Sequence, residues 1–117
     1  MARYTDVQQA AADGFRFAYE PDASRYAVYR SGAEGREDLV GEAHFSLRGS
    51  ELIDFDHTVV IPELRGTGIS GLLARFALLG PAASGRRIAA SCWFIDGYLA
   101  KHPEILEEIA AQSGREE

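Results

Sequence analysis

The chain has 117 residues, 46% of them hydrophobic and 26% charged, which are the proportions of one globular domain around a single core. Its formal net charge of −6 argues against nucleic acid or an anionic membrane surface as the main partner, while leaving room for a local basic pocket. The opening MARYTDVQQAAADG lacks the apolar stretch of a signal peptide, no apolar run approaches a membrane span, and a single cysteine forms no internal disulfide; a cytoplasmic protein is expected.

In chain order, residues 1–13 are polar, with a short helical tendency from Val7 to Ala12, and are expected to fray. Phe15 to Tyr19 alternates large apolar residues with others and reads as a first strand. After the turn at Pro21–Ser24, Arg25 to Arg30 gives a second strand, and Ser31–Gly35 is a loop. Leu39 to Leu47 is the third strand, Arg48-Gly49-Ser50 a tight turn, and Glu51 to Ile61 the fourth strand. Short turns between these four strands predict an antiparallel meander.

Strict alternation along the fourth strand places Ile53, Phe55, His57, Val59 and Ile61 on one core-facing side, with Asp54, Asp56 and Thr58 on the other. A bulge would break this pattern and present a backbone N–H to a ligand, but sequence does not reveal bulges. Pro62-Glu63 ends the strand, and a glycine-rich turn leads into a helix that runs to about Leu79, where Gly80-Pro81 stops it. The helix is marked by Ile69, Leu72, Leu73, Phe76 and Ala77 at i, i+3, i+4, i+7 and i+8.

Ile88 to Trp93 reads as a fifth strand. The intervening helix makes it parallel to the fourth, in a right-handed crossover. Phe94 to Lys101 is a short helix, and Pro103 opens a last one through Ala111, followed by the polar tail Ser113–Glu117. The expected fold class is therefore α+β, with a mostly antiparallel twisted sheet, a parallel fourth and fifth strand, and two or three helices. All of it forms one minimal domain whose ordered core spans about 14–112. No repeat or low-complexity segment interrupts it.

The chemistry concentrates between His57 and Phe76. A glycine turn lets backbone approach a ligand closely, and the helix after it aims unpaired N–H groups and its dipole at an anion. Arg65, Gly66, Gly68 and the small pair Ser70–Gly71 are placed to do this for a phosphate or pyrophosphate. The segment is not a nucleoside-triphosphate P-loop, lacking Gly-Lys-Ser/Thr; Gly66, Gly68 and Gly71 do stand at G-x-G-x-x-G spacing, but no second βαβ unit follows, so it is not read as a dinucleotide fingerprint. A glycine turn with no ligand is the plainer alternative. What favours a ligand is convergence: the glycine turn follows the fourth strand and Cys92 ends the fifth, at the same edge of the sheet.

The segment IPELRGTGISGLL resembles the acyl-CoA pyrophosphate loop of the GNAT acetyltransferase superfamily, whose pattern is Arg/Gln-x-x-Gly-x-Gly/Ala. Arg65 and Gly68 match the first two fixed positions, and Ser70 stands where the family has Gly or Ala. His57-Thr58 before the loop, Cys92 after the next strand, and Phe94, Tyr98, Lys101-His102-Pro103-Glu104 beyond resemble a subgroup of very small, cysteine-containing members. The resemblance spans about Phe15 to Ile105.

The resemblance implies that the chain binds acetyl-CoA, without a metal, and passes the acetyl group to an unidentified amine. It implies that the pyrophosphate sits on backbone around Arg65, Gly66, Thr67, Gly68, Ile69, Ser70 and Gly71. The pantetheine arm would run along Val59, Val60 and Ile61, between the splayed fourth and fifth strands. It also implies a role near the acetyl group for Cys92, for which an acetyl-cysteine intermediate has been proposed in the subgroup. Non-catalytic CoA binding, or interaction without turnover, is the alternative for so small a chain.

Each side chain keeps a plainer reading. A free thiol is mostly protonated at neutral pH and among the most often buried groups, so Cys92 as nucleophile needs a thiolate-favouring neighbour. His57 suits a general base toward Cys92 or an amine, because histidine titrates near neutrality, yet it equally fits a satisfied core histidine. Tyr98 suits proton donation to the leaving thiolate, or simple packing. His102 reads as structural. Arg86 and Arg87 reach a CoA 3′-phosphate in the functional reading and are ordinary exposed cations otherwise, as is Arg75. His44, His57 and His102 lack metal-ligand spacing, and G-x-S-x-G is absent.

Overall fold

A computed structural model of the chain describes residues 3–114. Five strands, β1 (Phe15–Glu20), β2 (Arg25–Ser31), β3 (Glu37–Arg48), β4 (Leu52–Val60) and β5 (Arg87–Ala89), form one sheet in sequence order. The first four pair antiparallel through short turns, and β4 pairs with β5 in parallel, with Leu52, Ile53 and Asp54 opposite Arg87, Ile88 and Ala89. Four α-helices accompany the sheet: α1 (Val7–Ala12), α2 (Ile69–Leu78), α3 (Trp93–Lys101) and α4 (Glu104–Gly114). The sequence-derived α+β architecture and the parallel crossover are thus observed.

The core fills one face of the sheet. Tyr26, Phe45, Ile53 and Phe55 from the strands meet Leu73 and Leu78 of α2, Ile95 of α3 and Ile105 of α4, all fully or nearly fully buried. The apolar stripe predicted for α2 is the buried one. An ion pair ties α2 to α4, with Arg75 donating from both terminal nitrogens to the Glu108 carboxylate at 3.0 and 2.7 Å. The opposite face is polar. Across it Arg25 bridges Glu20 and Glu42 at 2.7 Å each, and Glu42 also meets His44 at 2.9 Å.

Four features differ from the sequence-based expectation. The alternation of β4 reverses midway, because His44 pairs with His57 but Phe45 pairs with Phe55. Asp56 is the extra residue of a β-bulge, and a single insertion moves every later side chain to the other face. Ile53 and Phe55 point into the core as expected, while His57 is exposed beside His44 and Val59 is 47% exposed. Val60 takes the core-facing place instead, packed against the buried cluster.

The fifth strand is also shorter than expected. It ends at Ala89, after which Ser91 donates to the Asp54 carboxylate from its backbone N–H at 2.9 Å and its hydroxyl at 2.6 Å. The Cys92 N–H then donates to the Phe55 carbonyl at 3.0 Å, and α3 begins at Trp93 rather than Phe94. The side-chain bonds of Ser91 turn the chain out of the sheet where β4 itself bulges.

The N-terminal segment is not loose. Asp6 caps α1, accepting from the Gln9 N–H at 2.8 Å, and Ala10 is fully buried. The Tyr4 N–H donates to the Thr67 carbonyl at 2.7 Å, and its ring meets Phe15 edge-on. At the other end, α4 extends past Ala111 to Gly114, and residues 115–117 of the expected tail lie outside the described residues.

Arg86 and Arg87 stand at the wrong end of the sheet for the glycine turn. Arg87 pairs with Leu52 at the start of β4, whereas the turn follows its end, roughly 26 Å further along an extended strand of this length. Arg86 instead clips its own connection, donating to the Ala82 carbonyl at 2.9 Å and the Gly49 carbonyl at 3.4 Å.

Candidate active site

The bulge in β4 and the early end of β5 together open the sheet. Beyond Phe55, no described strand pairs with β4 on its β5 side. The opening is a cleft of about 370 Å³, lined by Thr58, Val59, Val60 and Ile61 along β4, Arg65 and Ser70 at the turn, and Trp93 and Phe94 at the start of α3. The hydroxyl of Thr58 is buried there without a hydrogen-bond partner. A buried hydroxyl in that state costs about 1–3 kcal/mol unless a ligand or water satisfies it.

The glycine turn closes one end of this cleft. A 3-10 turn at Pro62–Leu64 leads into it, and the Thr67 hydroxyl donates to the Leu64 carbonyl at 2.6 Å, which locks the turn from within. Gly66 and Gly68 both have positive φ, 78° and 90°. The Ile69 N–H reaches the Thr67 hydroxyl at 3.4 Å, but the N–H groups of Gly66, Gly68, Ser70 and Gly71 have no partner among the described residues. These are the orphan donors of a helix N-terminus, with the positive end of the α2 dipole behind them. Such donors accept an anion without further rearrangement.

The sequence-predicted residues therefore divide. Val59, Val60, Ile61, Arg65 and Ser70 line the cleft, and Gly66, Thr67, Gly68, Ile69 and Gly71 form the turn beside it. Cys92 caps α3 and is 9% exposed, within the apolar cluster. His57 is exposed on the other face of the sheet, its ring 5.9 Å from that of His44, and no hydrogen bond joins it to Cys92 among the described residues.

Tyr98 lies across α2 from the cleft, its ring edge beside Gly71 and its hydroxyl close enough to Arg75 to feel its charge. Burial raises its pKa, and the Arg75 charge partly offsets this. It lines a second groove of about 290 Å³ together with Arg3, Gly68, Gly71, Trp93, Phe94, Gly97, Lys101 and His102. His102 caps α3, its N–H donating to the Tyr98 carbonyl at 2.9 Å and its ring facing the tyrosine at 4.5 Å.

Sequence reasoning missed Thr58, Asp56, Trp93 and Arg3. Asp56 carries no signal, since an acid beside Phe55 is what a strand with one polar face would show. Arg3 carries none, because its position depends on the long-range docking of Tyr4.

Residues 25–109 match the family of GCN5-related N-acetyl-transferases. The match takes in most of the chain, and the chain belongs to this family. Mouse protein NATD1 is similar to it, 26% identical over 96 residues that cover 80% of this chain and 84% of the mouse protein. Members of the family generally take acetyl-CoA and an amine acceptor, so acetyl transfer is the class of reaction this membership suggests. No described helix is long and apolar enough to cross a membrane.

Proposed function

We propose that the protein transfers the acetyl group of acetyl-CoA to an amine, directly and without an acetyl-enzyme. The observation that carries this reading is the unpaired edge of β4 beyond its bulge, running from an orphaned Thr58 hydroxyl to the open N–H groups at the head of α2. An apolar arm with hydrogen-bonding amides and a terminal pyrophosphate is complementary to that run. Val59, Val60 and Ile61 take the pantetheine, and the turn from Arg65 to Gly71 takes the pyrophosphate.

The helices occupy one face of the sheet, so the amine approaches from the other. There the bulge turns both Asp56 and His57 outward, and Asp56 accepts from the Ser46 hydroxyl at 2.6 Å. The amine nitrogen attacks the thioester carbonyl carbon. The new C–N bond forms as the C–S bond breaks, CoA leaves as its thiolate, and the proton shed by the amine passes to His57. Holding the two reactants in register supplies most of the acceleration, with backbone N–H groups of β4 polarising the carbonyl.

Cys92 precedes the cleft-lining Trp93 and lies in the apolar cluster rather than on the cleft wall. Its burial in the apolar cluster and the absence of a hydrogen-bonded base among the described residues support a bystander role over a nucleophile. Tyr98 faces the second groove and is assigned to ligand positioning there.

Calorimetric titration with acetyl-CoA, followed by a thiol-release assay over a panel of small amines, tests the proposal. Binding with amine-dependent CoA release supports it. Binding without release from any amine would replace it by the non-catalytic acyl-CoA-binding module, and no binding would end it.

A further inference from the structure

His44 and His57 face one another on the sheet surface that the helices leave open, their rings 5.9 Å apart. The Asp56 bulge produces this meeting, since uninterrupted alternation would have turned His57 into the core. The two rings are held very differently. His57 has no side-chain hydrogen bond among the described residues, whereas His44 Nε2 lies 2.9 Å from Glu42 Oε1. That same oxygen accepts from Arg25 Nη1 at 2.7 Å.

Glu42 decides which nitrogen of His44 carries hydrogen. Burial works to raise its carboxyl, but the hydrogen bonds from His44 and Arg25 outweigh it and hold the group below its ordinary value of 4.5. An ionised carboxylate only accepts, so His44 Nε2 is the donor and Nδ1 is the nitrogen left to take a proton. The surroundings favour that proton. Arg25 bridges Glu20 and Glu42 at 2.7 Å each, one positive charge against two negative, which leaves one net negative charge beside His44. Near His57, Asp56 accepts from the Ser46 hydroxyl at 2.6 Å, and Asp54 is engaged by Ser91 and feels the Arg48 charge. Among the described residues no carboxylate forms an ion pair with His57, while Glu42 does so with His44.

We propose that His44, anchored by Glu42, is the positioning residue of this pair: it takes the first proton, and its charge keeps the His57 ring unprotonated for the amine. The inference rests on the acetyl-transfer reading above, in which His57 receives the proton that the amine sheds. A base works only while its lone pair is free. Two like charges this close at a protein surface set the second protonation back by about 0.5–1 pH unit. His44 thereby extends the working range of His57 toward lower pH, and the same repulsion returns the shed proton from the exposed His57 to water. His44 does this without touching substrate, since it stands on β3, one strand further from the cleft than His57.

The chain has three histidines, and His102 at the end of α3 serves as the internal control. The ring Cε1–H signals are followed by nuclear magnetic resonance across the neutral pH range, at low ionic strength, in the full chain and its His44→Gln and Glu42→Gln variants. In the wild type His44 is expected to titrate at higher pH than His57. His44→Gln is expected to raise the His57 midpoint by about 0.5–1 pH unit with His102 unmoved, and Glu42→Gln to lower the His44 midpoint. The acid limb of kcat/KM for amine-dependent CoA release should move up with the His57 midpoint in His44→Gln; a merely structural loss would lower the whole profile and leave its limb in place. His44→Gln, at a partly exposed ring, carries the test even where Glu42→Gln fails to fold. A His57 midpoint that stays or falls in His44→Gln, or an acid limb that stays while the midpoint rises, overturns the inference and leaves acetyl transfer standing. The expected midpoints with no CoA release from any amine uphold the order of the pair and overturn the acetyl-transfer reading.

Discussion

The carbonyl oxygen of Tyr4 occupies the space that a Cβ on Gly68 would need. Gly68 also holds φ at +90°, a conformation that costs a residue with a side chain about 1–2 kcal/mol. The glycine thus does two things at once: it lets the N-terminal segment dock, and it aims the head of α2 outward. Gly68→Ala is expected to lose about 2–3 kcal/mol of stability through backbone strain and displacement of Tyr4, and to weaken acetyl-CoA binding as well. Gly71→Ala is the contrast. Its nearest new neighbour is the Tyr98 ring at 3.7 Å, an ordinary contact, and alanine inside a helix gains up to about 1 kcal/mol. Urea unfolding of both variants checks the pair, and equal stabilities would refute the assignment.

Tyr26 is the buried polar anchor of the core. Its hydroxyl accepts from the Ala82 N–H at 3.1 Å, and burial pushes its pKa up to about 12. Tyr26→Phe removes that acceptor and leaves a buried N–H unpaired, at a cost of about 1–3 kcal/mol. A thermal midpoint unchanged from the wild type would show that water reaches Ala82.

The polar face of the sheet gives the protein its acid sensitivity. The Tyr29 hydroxyl, at 2.6 Å, and then Arg25 hold the Glu20 carboxyl below its ordinary value of 4.5. A carboxylate with a depressed folded pKa contributes stability that is present above the unfolded pKa and is lost as pH falls through the folded one. Stability should therefore be flat above about pH 5 and decline as pH falls through the carboxylate range toward the depressed folded pKa, with a shallower decline in Glu20→Gln. Denaturant midpoints at pH 3, 4, 5 and 7 measure the slope; a steeper decline in the variant would reverse the sign and exclude this origin.

Cys92→Ala separates the two chemical routes. For direct transfer the variant keeps its turnover within a few-fold and loses about 1 kcal/mol of stability from a small buried side chain. Loss of turnover together with a covalent acetyl adduct, seen by mass spectrometry in the wild type alone, would establish the acetyl-cysteine route instead.

The legible parts of this fold are those set by local pattern. Alternation in Phe15–Tyr19 and the 3.6-residue stripe from Ile69 to Ala77 depend only on neighbouring residues, and the parallel β4–β5 pair follows once a helix is known to lie between them. The glycine turn was legible because its spacing is itself the chemistry. What the sequence concealed comes from pairing across the fold. The Asp56 bulge is a property of β3 against β4, and it exchanged the surroundings of His57 and Val60. The early exit of β5 depends on Ser91 meeting Asp54. Of the two readings open for Arg86 and Arg87, the phosphate-contact one falls, because strand direction, rather than proximity to the strand, decides which end they reach.

Ser70 gives the most direct measurement. It is the second residue of α2 and lines the cleft, so Ser70→Asp places a carboxylate where the pyrophosphate is assigned. The same charge at a helix N-terminus favours the helix by about 0.3–1 kcal/mol, so folding and binding should move in opposite directions. Acetyl-CoA is titrated calorimetrically into the wild type and Ser70→Asp, beside their unfolding curves. Affinity lower by tenfold or more, with stability equal or higher, is the expected result; undiminished affinity in a stably folded variant would contradict the placement of acetyl-CoA on the α2 N-terminus.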